Sequence, residues 1–272
     1  MNRRRGGIVV ALAALAATAG CVNYTAPERY ERGLVVVLGG AGNVTMSPDS
    51  IRWGLHEGGV DHAIEVFQWT KTHNVLEDQT DVARNRAMAG RLASRVTAYM
   101  AERPGRPVHL VGLSAGTGLV VFALEQLPPR CQIDGACLLA SSLKDTYNLA
   151  PALRHVRNEI TNFSSVMDVV VLGVGVGFAG TVDRGQGTAA GIAGFKVPPD
   201  VDDSTRRLYG DKLVEVPWNP AYVVFGHAGT HTGAASSGFV KQFMAPIVLD
   251  AARRRADEWT PGPAVRTGLD SQ

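Results

Sequence analysis

Residues 108–118 read VHLVGLSAGTG, an apolar run that ends at a serine between two glycines. The run predicts a buried strand, and AGTGLVVFALEQL after the serine predicts a helix that ends before Pro128-Pro129. The pattern G-x-S-x-G, residues 112–116, therefore falls on a strand-to-helix turn. Glycines suit such a turn because neighbouring backbone would clash with a β-carbon. In this context we interpret Ser114 as a nucleophile rather than a turn hydroxyl.

Short apolar strands and amphipathic helices alternate along most of the 272 residues. The predicted strands cover residues 33–38, 63–69, 108–113, 133–140, 159–166 and 222–225. The predicted helices cover residues 47–58, 78–104, 115–127, 151–157 and 237–253, the last bent at Pro246. This alternation predicts a doubly wound, mostly parallel α/β sheet. The glycine-rich stretch from residue 168 to 220 is irregular, which is typical of a lid or binding loop.

The composition fits one compact domain, which we expect to span residues 33–255 and to be followed by a tail, residues 256–272. The chain is 45% hydrophobic and carries a formal net charge of +2. The basic residues form no stripe along one element, so the sequence argues against a nucleic-acid partner.

The N-terminus has the three regions of a secretory signal, expected over residues 1–20. Arg3-Arg4-Arg5 precedes an apolar stretch, residues 8–19, which runs into Ala19-Gly20-Cys21. A cysteine after small residues resembles the lipobox of bacterial lipoproteins, although Thr18 stands where leucine is usual. This resemblance implies lipidation of Cys21, a membrane-anchored protein of the cell envelope and a tether over residues 21–32. The alternative is an ordinary signal peptide and a secreted soluble protein.

The two remaining cysteines, Cys131 and Cys137, flank or lie in a predicted strand. Six extended steps would separate them by about 20 Å, whereas a disulfide needs Cα atoms within about 7 Å. We expect two buried free thiols.

The order of strands around the G-x-S-x-G turn resembles the α/β-hydrolase superfamily over roughly residues 33–255. In that superfamily the nucleophile follows the fifth strand, the acid the seventh and the histidine the eighth. If residues 33–38 are the third strand, Ser114 follows the fifth strand. Residues 159–166 and 222–225 are then the seventh and eighth strands. The resemblance also implies that no large cap domain is present, because the connection between the sixth and seventh strands is short.

The resemblance implies Asp168 as the acid and His231 as the base of a catalytic triad with Ser114. Asp145, after the sixth strand, is an alternative acid, and His227 is an alternative base. The implied oxyanion donors are the backbone N–H groups of Ala115 and of Gly40 or Ala41, in the turn Gly39-Gly40-Ala41-Gly42. Family members often have a histidine before this turn, and this sequence has none.

The function implied by the resemblance is a serine hydrolase that cleaves an ester, or a thioester or amide, through an acyl-enzyme. It implies no metal or organic cofactor. The substrate is expected to be a small or acyl-bearing molecule, partly hydrophobic, recognised by residues 169–217. One alternative is a lipoprotein that kept the scaffold as a catalytically inactive binding module.

A nucleotide-binding oxidoreductase is the other alternative, because GLVVVLGGAG resembles a strand that enters a phosphate-binding turn. The dinucleotide fingerprint needs a third Gly or Ala, and Thr45 stands there instead. A zinc site at His227 and His231 is disfavoured because Gly229 opposes the helix that this spacing requires.

Overall fold

The computed structural model describes residues 22–43, 47–71, 74–168, 181–183 and 187–258. The expected signal segment and Cys21 lie outside the described residues. So do residues 169–180 of the glycine-rich stretch and residues 259–272 of the expected tail.

One parallel sheet of six strands forms the centre of the fold, in the order β2-β1-β3-β4-β5-β6. The strands are β1 (Leu34–Leu38), β2 (Ala63–Val66), β3 (Val108–Leu113), β4 (Ile133–Leu139), β5 (Val156–Ser164) and β6 (Leu213–Pro217). Every residue of β1, β3 and β4 is buried, as expected for parallel strands covered on both faces. The doubly wound α/β class predicted from the sequence is confirmed.

Helices cover both faces of this sheet: α1 (Pro27–Tyr30), α2 (Ser47–Glu57), α3 (Val75–Thr80), α4 (Val82–Glu102), α5 (Ala115–Glu125), α6 (Ala150–Leu153), α7 (Ala190–Ala193), α8 (Asp203–Lys212), α9 (Ser237–Phe239) and α10 (Ala245–Glu258). Alternate residues of β1 point to opposite faces, so Val36 packs with α4 and α5 while Val35 packs with α2 and α10. Among the described helices, none combines the length and apolar character needed to cross a bilayer.

The prediction of the last strand was wrong. Residues 222–225 lie in a 3₁₀ helix, Pro220–Phe225, although their composition suits a strand. Asn219 caps this helix by accepting a hydrogen bond from the N–H of Ala221, and Pro220 occupies the first turn. The last strand is instead β6, which with α8 lies in the stretch that we predicted to be irregular.

Helix boundaries also differ from prediction. The helix predicted over residues 78–104 is two helices, because the side chain of Asp81 caps a new start by accepting the N–H of Arg84. The closing helix is interrupted by a π-helical segment, Val240–Met244, just before Pro246, which has no N–H to donate. It ends at Glu258, three residues beyond the expected domain boundary.

The described part of the expected tether, residues 22–32, packs against the sheet instead. Buried Arg29 donates hydrogen bonds to the carbonyls of His62, at 2.8 Å, and Val60, at 2.9 Å. The hydroxyl of Tyr99 donates to the carbonyl of Tyr30 at 2.7 Å. A polar sequence without periodicity is typical of a linker, but here the guanidinium of Arg29 bonds to the main chain of the domain.

Cys131 and Cys137 are free thiols, as predicted. Cys137 is buried, but Cys131 is only half-buried, with its Sγ 3.6 Å from the Sδ of Met100.

Candidate active site

Ser114 occupies a strained turn between β3 and α5. Its backbone has φ 54° and ψ −125°, and its N–H donates to the carbonyl of Leu139 on β4 at 2.9 Å. A β-carbon on Gly112 would lie 2.7 Å from the carbonyl oxygen of Gly116. One on Gly116 would lie 2.5 Å from the carbonyl oxygen of Gly39. The two glycines of the motif are therefore needed for backbone contact, as the sequence predicted.

A pair of buried hydroxyls supports the same turn, and the sequence analysis missed both. The Oγ1 of Thr117 donates to the carbonyl of Ser114 at 2.6 Å and lies 3.1 Å from the Oγ of Ser141. Ser141 follows β4, so this contact ties the first turn of α5 to the neighbouring strand end. A short hydroxyl side chain at a helix start, Thr117, was the available signal. Its second partner, Ser141, lies 24 residues further along the chain and carries no local signal.

The residues predicted to supply oxyanion donors lie next to Ser114. Ala115 is the first residue of α5, where backbone N–H groups lack partners within the helix. A β-carbon on Gly40 would lie 3.3 Å from the Cβ of Ser114, so the turn after β1 packs directly against the serine. Ala41 follows in the same turn and begins a short 3₁₀ segment, Ala41–Asn43.

Asp168 and His231, 63 residues apart, are joined by a hydrogen bond. The Oδ2 of Asp168 lies 2.7 Å from the Nδ1 of His231. Asp168 is 3% exposed and follows β5, where its N–H donates to the carbonyl of Ser165. A carboxylate on Nδ1 favours the tautomer with the proton there, which leaves Nε2 as the basic nitrogen.

A second contact holds the histidine loop at the carboxyl end of β5. The hydroxyl of Ser165 donates to the carbonyl of Gly229 at 2.8 Å. The loop therefore stays close to Asp168, although the segment before it is a 3₁₀ helix rather than the predicted strand.

His227, the alternative base, is packed as a structural side chain. It is 3% exposed, stacks on Tyr222 with an interplanar angle of 12° and meets Phe239 edge to face at 4.8 Å. Its Nδ1 accepts the N–H of Gly229 at 3.4 Å. Burial lowers the pKa of His227 to about 4. Within the described residues, no carboxylate contacts its ring.

Asp145, the alternative acid, contacts a lysine instead of a histidine. Its carboxylate forms an ion pair with Lys196, and its backbone carbonyl accepts the N–H of the same residue at 2.7 Å. This double contact joins the segment after α7 to the connection that follows β4.

Among the described residues, no hydrogen bond joins the Oγ of Ser114 to the imidazole of His231, whose described partner is Asp168. Catalytic hydrogen bonds are often long without substrate and tighten in the reactive complex. The part of the chain that the structure describes holds no group of three His, Cys, Asp or Glu side chains suited to a metal.

Apolar side chains are exposed next to Asp168. Val166 is 70% exposed and Met167 is 54% exposed. A β-carbon on Gly229 would lie 3.1 Å from the Sδ of Met167 and 3.3 Å from the indole of Trp218. An apolar surface therefore borders the loop that carries His231.

Comparisons with solved structures give matches at low sequence identity and with TM-scores below 0.5. No family model and no curated protein matches the chain significantly. A cutinase-like protein from Cryptococcus sp. is 13% identical, with 81% of this chain and 95% of that chain covered and a TM-score of 0.42. The dienelactone hydrolase from Anabaena variabilis is 13% identical, with 80% and 86% covered and a TM-score of 0.46. An acetyl xylan esterase is 12% identical, with 82% and 98% covered and a TM-score of 0.45.

Matches at these identities and TM-scores carry no argument about function or substrate. The strained turn at Ser114, between β3 and α5, has the strand-to-helix geometry of a nucleophile elbow.

Proposed function

We propose that this protein is a serine hydrolase that cleaves esters through an acyl-enzyme. The observation that carries the proposal is the 2.7 Å contact between Asp168 and the Nδ1 of His231, at the same end of the sheet as the strained turn of Ser114. Nucleophile, acid and base then appear in the chain order Ser, Asp, His. Ser114 follows β3, Asp168 follows β5, and His231 lies in the loop after the 3₁₀ helix Pro220–Phe225.

In this mechanism the Nε2 of His231 takes the proton of the Ser114 hydroxyl as the oxygen attacks the substrate carbonyl carbon. The N–H groups of Ala115 and of Gly40 or Ala41 stabilise the oxyanion of the tetrahedral intermediate. His231 then gives its proton to the leaving alcohol, and an acyl-enzyme remains. Water then attacks the acyl carbon in the same way and releases the acid, while Asp168 holds the imidazole in place. A thioester or an amide would follow the same steps.

The exposed apolar side chains of Val166 and Met167 support a partly hydrophobic, acyl-bearing substrate. They adjoin Asp168, so an apolar group bound near the triad would remove their surface from water.

We also propose that the protein is exported and anchored to the membrane by a lipid on Cys21. This proposal rests on the sequence of residues 1–21 alone. Cells fed an alkyne-tagged fatty acid should incorporate the tag into the wild type but not into Cys21→Ser. Release of an untagged wild-type protein into the medium would instead show the secreted soluble form.

A fluorophosphonate probe tests the hydrolase proposal, because it labels only an activated serine. We expect labelling of the wild type at Ser114 and none of Ser114→Ala, with the Tm of the variant close to that of the wild type. A folded wild type that resists the probe would reject the proposal and favour a binding protein.

The two histidines provide a matched pair of variants for the same assay. We expect His231→Ala to slow labelling by several orders of magnitude with little change in Tm. His227→Ala should remove aromatic packing and lower the free energy of unfolding by about 1–3 kcal/mol, while the folded fraction keeps its labelling. The reverse pattern would make His227 the base.

A further inference from the structure

The turn of residues 39–42 is rich in glycine. Three of its four residues are glycine, so its backbone loses much conformational freedom when it becomes ordered. An oxyanion donor contributes most when its position is fixed before the reaction. Contacts from outside the turn are therefore needed to orient the N–H groups of Gly40 and Ala41.

Two buried side chains bond to the two ends of this turn. The indole Nε1 of Trp69 donates to the carbonyl of Gly39 at 2.9 Å. The N–H of Gly42 donates to the Oδ2 of Asp78, also at 2.9 Å. Trp69 follows β2 and is 2% exposed, and Asp78 lies in α3 and is 1% exposed.

Arg84, near the start of α4, connects the two contacts. Its guanidinium donates to the Oδ1 of Asp78 at 2.8 Å and to the backbone carbonyl of Trp69 at 2.7 Å. The amide of Asn85 donates to the backbone carbonyl of Asp78 at 2.7 Å. The turn, the residue after β2 and the starts of α3 and α4 thus form one closed hydrogen-bonded unit.

A buried ion pair is weak evidence for stability, because removing two charges from water offsets most of their attraction. The ion pair of Asp78 and Arg84 instead holds the groups that it joins in fixed positions. We propose that Asp78, Arg84 and Trp69 are positioning residues that fix the oxyanion turn beside Ser114. This inference rests on the proposed function. It predicts that these residues affect the rate of the chemical step more than substrate binding.

The chain supplies a matched control at the opposite end of the sheet. Asp134, at the start of β4, is fully buried and accepts the N–H of Val108 at 2.8 Å. It also pairs with Arg255 at 3.1 Å. A buried carboxylate thus binds one backbone N–H and one arginine in both places, but only Asp78 contacts the oxyanion turn.

The experiment compares Asp78→Asn, Trp69→Phe and Asp134→Asn, with p-nitrophenyl ester turnover and fluorophosphonate labelling of folded protein. Both variants at the turn should lower kcat by about 10²-fold, the cost of a misplacement near 1 Å, with KM within about twofold of the wild type. Asp134→Asn should lose stability but keep kcat. Trp69→Phe keeps an aromatic ring, so it tests the contact even if Asp78→Asn does not fold.

Amide hydrogen exchange separates this inference from the proposed function. Peptides that cover residues 38–42 should exchange faster in Asp78→Asn and Trp69→Phe than in Asp134→Asn. If the wild type neither hydrolyses the ester nor reacts with the probe, the hydrolase proposal fails, and the exchange data alone decide whether these residues order the turn. Equal exchange in the three variants, or a kcat of Asp134→Asn that falls as far as that of Asp78→Asn, would overturn the inference.

Discussion

The backbone of Ser114, at φ 54° and ψ −125°, lies where only glycine avoids a steric cost. A strained residue of this kind destabilises the folded state by about 1–3 kcal/mol. Replacement by glycine stabilises the unfolded state by about 0.4–1 kcal/mol, because it adds conformational entropy there. We therefore expect Ser114→Gly to raise the free energy of unfolding by about 1 kcal/mol, although it removes the nucleophile. Urea unfolding measures the change. A Ser114→Gly variant less stable than Ser114→Ala would show that the turn is not strained.

Three buried histidines should make stability depend on pH. Burial lowers the pKa of His62 and His227 to about 4 and, with nearby positive charge, that of His109 to about 3. Below pH 6.5 the unfolded chain therefore binds protons that the folded protein does not. The free energy of unfolding should be greatest above pH 6.5. It should fall between pH 6.5 and 4, by up to about 1.4 kcal/mol per pH unit for each histidine. Urea unfolding at several pH values measures this slope.

His109→Leu is the matched variant for that measurement. In the described structure neither ring nitrogen of His109 has a hydrogen-bond partner, so leucine would remove no bond. We expect His109→Leu to flatten the pH dependence and to match or exceed the wild-type stability at pH 5. An unchanged slope would mean that His109 does not contribute to it.

At the scale of elements, the contact of α5 with the end of β1 decides whether the turn at Ser114 can form. A β-carbon on Gly116 would meet two carbonyl oxygens of β1 and its turn, whereas one on Gly210 in α8 would meet nothing within 4 Å. Gly116→Ala should therefore lower Tm markedly and slow labelling of Ser114. Gly210→Ala should stabilise the protein by about 0.5–1 kcal/mol, as in other helix interiors. Thermal unfolding of both variants measures the difference, and a neutral Gly116→Ala would contradict this packing.

Prediction of the elements from sequence succeeded where the signal was local. The buried strands and the turn at Ser114 were recognised because aliphatic runs and flanking glycines are read directly from neighbouring residues. Prediction failed at residues 222–225, where a cap and a proline outweigh the strand composition. It missed β6 because that strand is only half-buried and its pattern is weak.

The residues of the candidate site were likewise predictable from sequence only in part. The resemblance to a known superfamily implied Asp168 and His231 through their places after the predicted strands, but the contact between them depends on tertiary packing. The bond between Asp78 and the N–H of Gly42 spans 36 residues. No local pattern marks it, so sequence reasoning missed it.

At the scale of the whole molecule, the segment before β1 is part of the folded domain. Arg29 is buried and bonds to two backbone carbonyls, whereas Arg32 of the same segment is exposed and pairs with Asp61. Arg29→Met should leave both carbonyls without that donor and lower the free energy of unfolding by about 1–3 kcal/mol. Arg32→Met should change it by less than about 0.5 kcal/mol. Equal effects in chemical unfolding would mean that the segment is a loose tether after all.

The segment of residues 22–32 also bonds to β2, the strand at one edge of the sheet. β2 pairs with β1 on one side, and on the other the N–H of Ile64 donates to the carbonyl of Tyr24 at 2.9 Å. An uncovered parallel edge offers main-chain groups to the strand of another molecule, which is a common route to aggregation. By occupying that position, the first described residues leave fewer free groups for edge-to-edge association between copies.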